Sequence, residues 1–159
     1  MTILIVCTGN ICRSPMAVAI LQHLLQARGI DDVAVRSAGT APWDGAPASE
    51  GSYLVSLEHG LDLSSHRARQ LTTDIVADAR LILGMSASHV ERAIQLGGEG
   101  KSFLLGAYAG EPAEDAEVPD PFGGDIEEYR ATYDRLVSLF EAALPRLIAE
   151  RPDADPGQH

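Results

Sequence analysis

Cysteine, aromatic residues and positive charge are scarce in this 159-residue chain. It contains two cysteines and 5% aromatic residues, and its formal net charge is -11 at pH 7. Two cysteines do not make the disulfide framework of a small secreted domain, so we expect a reducing, cytoplasmic setting. The negative charge argues against general binding to nucleic acid or to anionic membranes. Any anion bound by this chain must be held by a local positive field.

Long hydrophobic runs are absent as well. No apolar run approaches the length of a membrane span, and the opening "MTILIV" lacks the basic stretch of a signal peptide. We therefore expect a buried first strand there and no membrane partner. With 45% hydrophobic residues the chain is long enough for one core. We expect one domain over residues 1–150 and a flexible tail over 151–159.

Apolar, β-branched runs alternate with helical patterns along the sequence. Strands are predicted at 2–6, 33–38, 79–85 and 101–105, and helices at 14–29, 47–60, 72–78, 86–97 and 125–150. Ser14 is predicted to cap the first helix. This alternation predicts an α/β three-layer sandwich around a four-stranded parallel sheet. Ligands of such sheets bind at the carboxyl ends of the strands, where residues 7–13 are expected to lie.

The segment "CTGNICRS", residues 7–14, joins the first strand to the first helix and contains both cysteines. Five residues separate Cys7 from Arg13, enough to wrap one tetrahedral anion in backbone N–H groups beside a helix N-terminus. Gly9 permits close approach, and Arg13 can offer two parallel donors to phosphate. Cys7 is expected to attack phosphorus as a thiolate. The hydroxyl of Ser14 could hydrogen-bond its sulfur.

A proton donor for the leaving group is expected in "VPDPFGG", residues 118–124. Asp120 lies between two prolines that fix its backbone, so its carboxyl group could protonate the leaving oxygen and later deprotonate water. Alone, "PDP" is more typical of an acidic turn. Its occurrence together with C-x5-R-S favours the catalytic interpretation.

Metal and nucleotide sites are poorly supported. A zinc site needs four ligands, whereas the two cysteines have no matching Cys/His pair elsewhere. The lysine of a Walker loop is missing. We expect no cofactor and no metal. Cys12 could be a small core residue, which is the commoner role of a buried cysteine, or a redox partner for the nearby thiolate.

Four segments together resemble the low-molecular-weight protein tyrosine phosphatases. They are "CTGNICRSPMA" at the N-terminus, "RSAGT" at 36–40, "SSHRARQL" at 64–71 and "DPFGG" at 120–124. The resemblance implies an enzyme that hydrolyses phosphotyrosine in a phosphorylated protein through a cysteinyl-phosphate, acting as a monomer or weak dimer. It implies that Cys7 is the nucleophile, that Arg13 clamps the phosphate, and that Asp120 is the general acid and base.

The same resemblance implies roles for residues that the local pattern does not single out. The phosphate-binding loop comprises Thr8, Gly9, Asn10, Ile11, Cys12, Arg13 and Ser14. Asn10 and Ser14 join Ser37 and His66 in the polar network that holds this loop, although His66 alone would be interpreted as a solvated turn residue. Cys12 matches the cysteine that forms a reversible disulfide with Cys7 and so prevents overoxidation. Trp43 and Phe122 match the aromatic rim of the pocket.

Two features within the resemblance disagree about the substrate. "DPFGG" is similar to the branch of the family that acts on protein arginine, in which threonine usually stands where this chain has Ile11. Ile11 is typical of the tyrosine-specific branch, and we give it more weight because it is expected to line the pocket. Protein arginine phosphatase is the alternative. A thioredoxin-coupled arsenate reductase would need two further cysteines, and a non-catalytic phosphate-binding module would need neither Cys7 nor Asp120.

Overall fold

The sheet of this protein has four parallel strands, as predicted. The computed structural model describes residues 1–152. Its strands are β1 (Thr2–Cys7), β2 (Ala34–Gly39), β3 (Leu81–Gly84) and β4 (Ser102–Leu104), in the order β2-β1-β3-β4. The continuous apolar run of β1 is explained by its central position, because a strand paired on both sides and covered on both faces exposes no side chain to water.

Helices cover both faces of this sheet, which confirms the three-layer α/β sandwich. They are α1 (Arg13–Ala27), α2 (Glu50–Glu58), α3 (Thr73–Asp78), α4 (Ala87–Ala93), α5 (Leu105–Tyr108) and α6 (Ile126–Ala149). Ile3 and Ile5 of β1 belong to the core formed with α1, α2 and α6. The alternating residues Leu4 and Val6 belong to the smaller core formed with α3 and α4.

The prediction that Ser14 caps α1 is wrong. The helix begins at Arg13, with Cys12 at the N-cap position and no side-chain cap. The Ser14 hydroxyl lies 2.9 Å from the sulfur of Cys7 and so serves the loop instead of the helix end. As a result, no side chain occupies the N–H groups of the first turn, and this helix end can bind an anion.

Several other boundaries also differ from the predictions. Helix α2 begins at Glu50, because Ser49 is its N-cap and accepts a hydrogen bond from the Ser52 N–H. Helix α4 stops at Ala93 and continues as a wider turn that Gly97 breaks with a φ of 106°. Helix α5 and the 3-10 turn Ala113–Asp115 were not predicted, since neither is long enough to show a period.

The last helix and the limit of the described residues define the C-terminal end of the fold. Within residues 1–152, no helix is both long and apolar enough to cross a bilayer. Helix α6 ends at Ala149. The tail predicted over 151–159 lies largely outside the described residues, which stop at 152.

Candidate active site

The Cys7–Arg13 loop lies at the carboxyl end of the central strand. Strand β1 ends at Cys7 and α1 begins at Arg13, so the loop has the position expected of a ligand site in a parallel sheet. Gly39 of β2 lies beside it, and a Cβ there would stand 2.5 Å from the Thr8 carbonyl oxygen. The loop borders a cavity of about 350 Å³ lined by Cys7, Thr8, Gly9, Ile11, Cys12 and Arg13.

The sulfur of Cys7 is buried, accepts a hydrogen bond from a backbone N–H and lies within hydrogen-bond distance of a serine hydroxyl. The Asn10 backbone N–H donates to it over 3.3 Å, and the Ser14 hydroxyl lies 2.9 Å away. The Ser14 oxygen itself accepts from Asn10 Nδ2 at 2.7 Å. Its hydrogen is therefore free to point at the sulfur. Two donors aimed at one sulfur stabilise a thiolate and, equally, a departing thiolate.

Asn10 is the centre of the polar network around the loop. It is buried and has a φ of 57°, a left-handed conformation that no other non-glycine residue adopts within residues 1–152. Besides Ser14, its Nδ2 donates to Ser37 Oγ at 2.9 Å, and its Oδ1 accepts from the Arg69 N–H at 2.9 Å. His66 Nε2 lies 2.6 Å from its carbonyl oxygen. Ser37 and His66 thus contact the loop from distant parts of the sequence.

The surroundings of His66 favour its neutral form. Burial lowers the pKa of its ring, an effect only partly opposed by the contact with the Asn10 carbonyl. A neutral histidine whose Nε2 faces a carbonyl oxygen must carry its proton on Nε2 and donate it. The ring therefore donates to the carbonyl of Asn10 and fixes the position of this left-handed residue.

Arg13 and Asp120 meet at one side of the cavity. The buried Arg13 guanidinium donates from Nη1 to the Val118 carbonyl at 2.9 Å, and its Nη2 lies 3.6 Å from Asp120 Oδ2. Its Nε is buried and has no hydrogen-bond partner among the described residues. Asp120 Oδ1 accepts from the Phe122 N–H at 3.0 Å, and the carboxylate is about half exposed, at 47%. The segment 118–122 therefore holds both the cation and the carboxylate.

Apolar groups form the mouth of the cavity. Trp43 is 85% exposed and Phe122 is 69% exposed, and both line the cavity together with the partly buried Ile11. Large aromatic side chains so open to water are uncommon unless they contact a ligand or partner. The opening is therefore suited to a flat, apolar group attached to the bound anion.

Cys12 lies in the loop but belongs to a different environment from Cys7. Both cysteines are free thiols. Cys12 Sγ donates to Ser49 Oγ at 3.3 Å and lies 3.6 Å from the Tyr129 hydroxyl. Burial raises the pKa of its thiol. Nothing in the local pattern pointed to Ser49 or Tyr129 as neighbours of Cys12, because both lie far along the chain from it.

His89 of α4 also lies beside the loop, although the sequence did not predict it there. It is 2% exposed, and its Nε2 lies 2.8 Å from Thr8 Oγ1. Its Nδ1 accepts from the Ser86 N–H at 3.0 Å. Burial and then the positive charge of Arg13 lower the pKa of the ring to about 4. The only local sign was the three-residue spacing of Ser86 and His89, which suits a helix cap.

Comparisons with known proteins agree with this geometry. The family model described as low molecular weight phosphotyrosine protein phosphatase matches residues 2–152. A protein-arginine-phosphatase of Geobacillus stearothermophilus is 36% identical over 151 residues, covering 94% of this chain and 97% of the relative. The low molecular weight protein-tyrosine-phosphatase Wzb of Escherichia coli (strain K12) is 38% identical over 136 residues, covering 84% and 86%.

A solved structure extends the likeness to the whole described fold. It is a YwlE arginine phosphatase, mutated from cysteine to serine and phosphorylated on the active-site serine. It superimposes with a TM-score of 0.87 at 33% identity, covering 98% of this chain and 100% of that one. The chain belongs to the low molecular weight phosphotyrosine protein phosphatase family, whose members are hydrolases that act on phosphorylated proteins.

Proposed function

We propose that this protein hydrolyses phosphotyrosine in proteins through a phosphocysteine intermediate on Cys7. The observation that carries the proposal is the environment of the Cys7 sulfur. It lies at the cavity, accepts from the Asn10 N–H and faces the Ser14 hydroxyl, beside an Arg13 Nε that has no partner in the described part of the chain. A stabilised sulfur nucleophile beside an unoccupied cationic donor is suited to attack on a phosphate ester.

The first half-reaction transfers the phosphoryl group to sulfur. Loop N–H groups and Arg13 bind the non-bridging oxygens, and the Cys7 thiolate attacks phosphorus opposite the leaving oxygen. The bond from phosphorus to the tyrosine oxygen breaks. Asp120, protonated at this stage, donates its proton to that oxygen and becomes a carboxylate.

The second half-reaction releases phosphate. Asp120 accepts a proton from water as the water oxygen bonds to phosphorus, and the bond from phosphorus to sulfur breaks. The electron pair returns to Cys7 as a thiolate, which the Ser14 hydroxyl and the Asn10 N–H stabilise. Asp120 is protonated again, so the cycle closes. The phosphorylated serine of the YwlE mutant supports a phosphoryl group covalently held at this position.

In this proposal, the network around Asn10 maintains the loop for phosphate. Ser37 and His66 hold its side chain and its carbonyl oxygen respectively, and so support the left-handed backbone at φ 57°. Preformed donors need no reorganisation when charge develops in the transition state. These residues support catalysis by holding others and do not touch the substrate.

Phosphotyrosine fits the apolar mouth better than phosphoarginine does. Ile11, Trp43 and Phe122 can pack against a phenyl ring. A guanidinium beside Ile11 would lose water without gaining a hydrogen-bond acceptor, which disfavours its burial. Protein arginine phosphatase is the second candidate. It is supported by the 36% identity to the Geobacillus stearothermophilus enzyme and by the "DPFGG" segment.

We extend the proposal to the setting of the enzyme. Residues 1–150 would form one phosphatase domain that acts in the cytoplasm as a monomer or weak dimer, without nucleic acid as a partner. The net charge of -11 and the two reduced cysteines support this setting.

The test is to trap the intermediate. The protein would be mixed with a phosphotyrosine peptide, quenched in acid within one turnover, and analysed by mass spectrometry for phosphate on Cys7. We expect to find the phosphate on Cys7 alone. Cys7→Ser should lose turnover by several orders of magnitude because a hydroxyl ionises far less readily than a thiol. Cys12→Ser is the matched control in the same loop and should retain most activity. Substantial turnover by Cys7→Ser would contradict the proposal.

A further inference from the structure

A buried histidine outside the proposed reaction contacts the catalytic loop. His89 Nε2 lies 2.8 Å from the hydroxyl oxygen of Thr8, the residue directly after Cys7. His89 is almost wholly buried, whereas Thr8 is exposed and lines the cavity. A buried ring therefore holds one polar side chain at the wall of the cavity.

The hydrogen bonds around His89 fix the direction of this contact. The Ser86 backbone N–H points at Nδ1 over 3.0 Å, so Nδ1 must be the acceptor and carry no proton. In the neutral ring the proton then sits on Nε2, which donates to Thr8 Oγ1. The Thr8 oxygen is thereby an acceptor toward His89, and its own hydrogen must point elsewhere.

The hydrogen of the Thr8 hydroxyl is free to point into the cavity that Thr8 lines. Apart from His89, no residue in the described chain forms a hydrogen bond with the Thr8 hydroxyl. The backbone carbonyl of Thr8 accepts from the Ala41 N–H at 3.0 Å, so the backbone of this residue is held in place. The same cavity is lined by Cys7 and Asp120. His89 also lies close enough to Arg13 and Asp120 to experience both charges. The oriented hydroxyl is thus a spare donor beside the proposed reacting groups.

We propose that Thr8, oriented by His89, donates a hydrogen bond to the oxygen that leaves phosphorus and then to the water that attacks it. This inference rests on the proposed function. The two oxygens occupy the same position opposite sulfur, because in-line attack and its reverse share one axis. Thr8 transfers no proton, and Asp120 remains the acid and base.

The gain from such a donor lies in orienting the attacking water. A water that gives one proton to Asp120 and accepts a hydrogen bond from Thr8 has its remaining lone pair free for phosphorus. Positioning of this kind lowers the entropic part of the barrier. Bulkier acceptors such as glycerol cannot satisfy both contacts equally well, so the pair also favours water over other nucleophiles.

Four single variants separate the donor from its support. Thr8→Val removes the hydroxyl at nearly constant shape, and Thr8→Ser keeps it. His89→Met removes the ring donor, whereas His89→Gln can place an amide N–H where Nε2–H stands. The readouts with an aryl phosphate are kcat, KM, and the share of phosphoryl groups passed to added glycerol instead of water. Circular dichroism at the assay temperature confirms that each variant is folded.

We expect Thr8→Val to lower kcat about tenfold, the equivalent of one lost hydrogen bond, with little change in KM. Its share of transfer to glycerol should rise. Thr8→Ser and His89→Gln should stay close to the unaltered protein. The double variant Thr8→Val with His89→Met should be no slower than Thr8→Val, because both changes remove the same contact.

Two results would overturn this inference alone. One is an unaltered kcat and glycerol share in Thr8→Val while the parent protein turns over normally. The other is a His89→Met defect that adds fully to that of Thr8→Val, since a purely structural histidine would behave in that way. If the parent protein hydrolysed no aryl phosphate at all, both this inference and the proposed function would fall.

Discussion

Replacing Asn10 with alanine should destabilise the protein by an amount that can be worked out from its contacts. The side chain makes three hydrogen bonds, a buried one to Ser14 and part-buried ones to Ser37 and the Arg69 N–H. At about 1 kcal/mol each they contribute about 3 kcal/mol. Alanine also tolerates a positive φ less well than asparagine, which adds up to about 1 kcal/mol. We therefore expect Asn10→Ala to lower the free energy of unfolding by about 3–4 kcal/mol.

Equilibrium urea unfolding at 25 °C measures this change directly. A loss of 3–4 kcal/mol should also lower the melting temperature by about 10 °C in a chain of this size. Ser37→Ala is the matched control, because it removes one of the three contacts and leaves the Ser14–Cys7 pair intact. It should lose only about 1 kcal/mol and keep most of its kcat. A loss below about 1 kcal/mol in Asn10→Ala would refute the view that this network maintains the loop.

Three further predictions concern proton transfer, oxidation and pH. Asp120→Asn should slow hydrolysis of phosphotyrosine more than that of nitrophenyl phosphate. A phenol of pKa about 10 leaves poorly as its anion and needs a proton, whereas the more acidic nitrophenol needs it less. Equal losses with the two substrates would exclude the general-acid role of Asp120. Cys12→Ser should stay active but fail to recover with dithiol after mild peroxide, because no second thiol captures the sulfenic acid on Cys7; full recovery would argue against protection by a disulfide. The pKa of His89 in the folded protein is about 4, below the ordinary 6.5 of an unfolded histidine. Between pH 6.5 and 4 the unfolded chain therefore binds a proton at His89 that the folded protein does not bind. The free energy of unfolding consequently falls as the pH drops from 6.5 toward 4. We expect a loss on the order of 2 kcal/mol across that window, reduced in His89→Gln; an equal slope in that variant would contradict the assignment.

The sequence predicted those features that depend on local pattern. The apolar run of β1 and the helical period of α6 are both visible in the local sequence. The bounds of both elements were therefore predicted to within a residue or two. The cap of α1 was assigned wrongly because a serine after a loop usually serves the helix, whereas Ser14 bonds to Cys7 and Asn10. A rule based on neighbouring residues does not include these other hydrogen-bond partners of the Ser14 hydroxyl.

The supporting residues of the site were harder to predict for the same reason. His66 becomes a loop contact only when the chain brings it 2.6 Å from the Asn10 carbonyl across 56 residues. His89 resembles a helix-capping residue in the sequence and gains its contact with Thr8 across 81 residues. Only the resemblance to a family pointed to His66 as a contact of the loop. Nothing in the sequence pointed to the contact between His89 and Thr8. The proposed nucleophile Cys7 and the proposed phosphate clamp Arg13 were visible because C-x5-R-S is contiguous.

Parallel turnover of two peptides would measure whether this enzyme prefers phosphotyrosine to phosphoarginine. The peptides would share one sequence and differ only in carrying phosphotyrosine or phosphoarginine, and kcat/KM would be measured for both with the unaltered protein and with Ile11→Thr. We predict faster hydrolysis of phosphotyrosine by the unaltered protein. Ile11→Thr should shift the ratio toward phosphoarginine by about 1–3 kcal/mol, the effect of one unmatched polar group. Faster hydrolysis of phosphoarginine by the unaltered protein would contradict the proposed activity on phosphotyrosine.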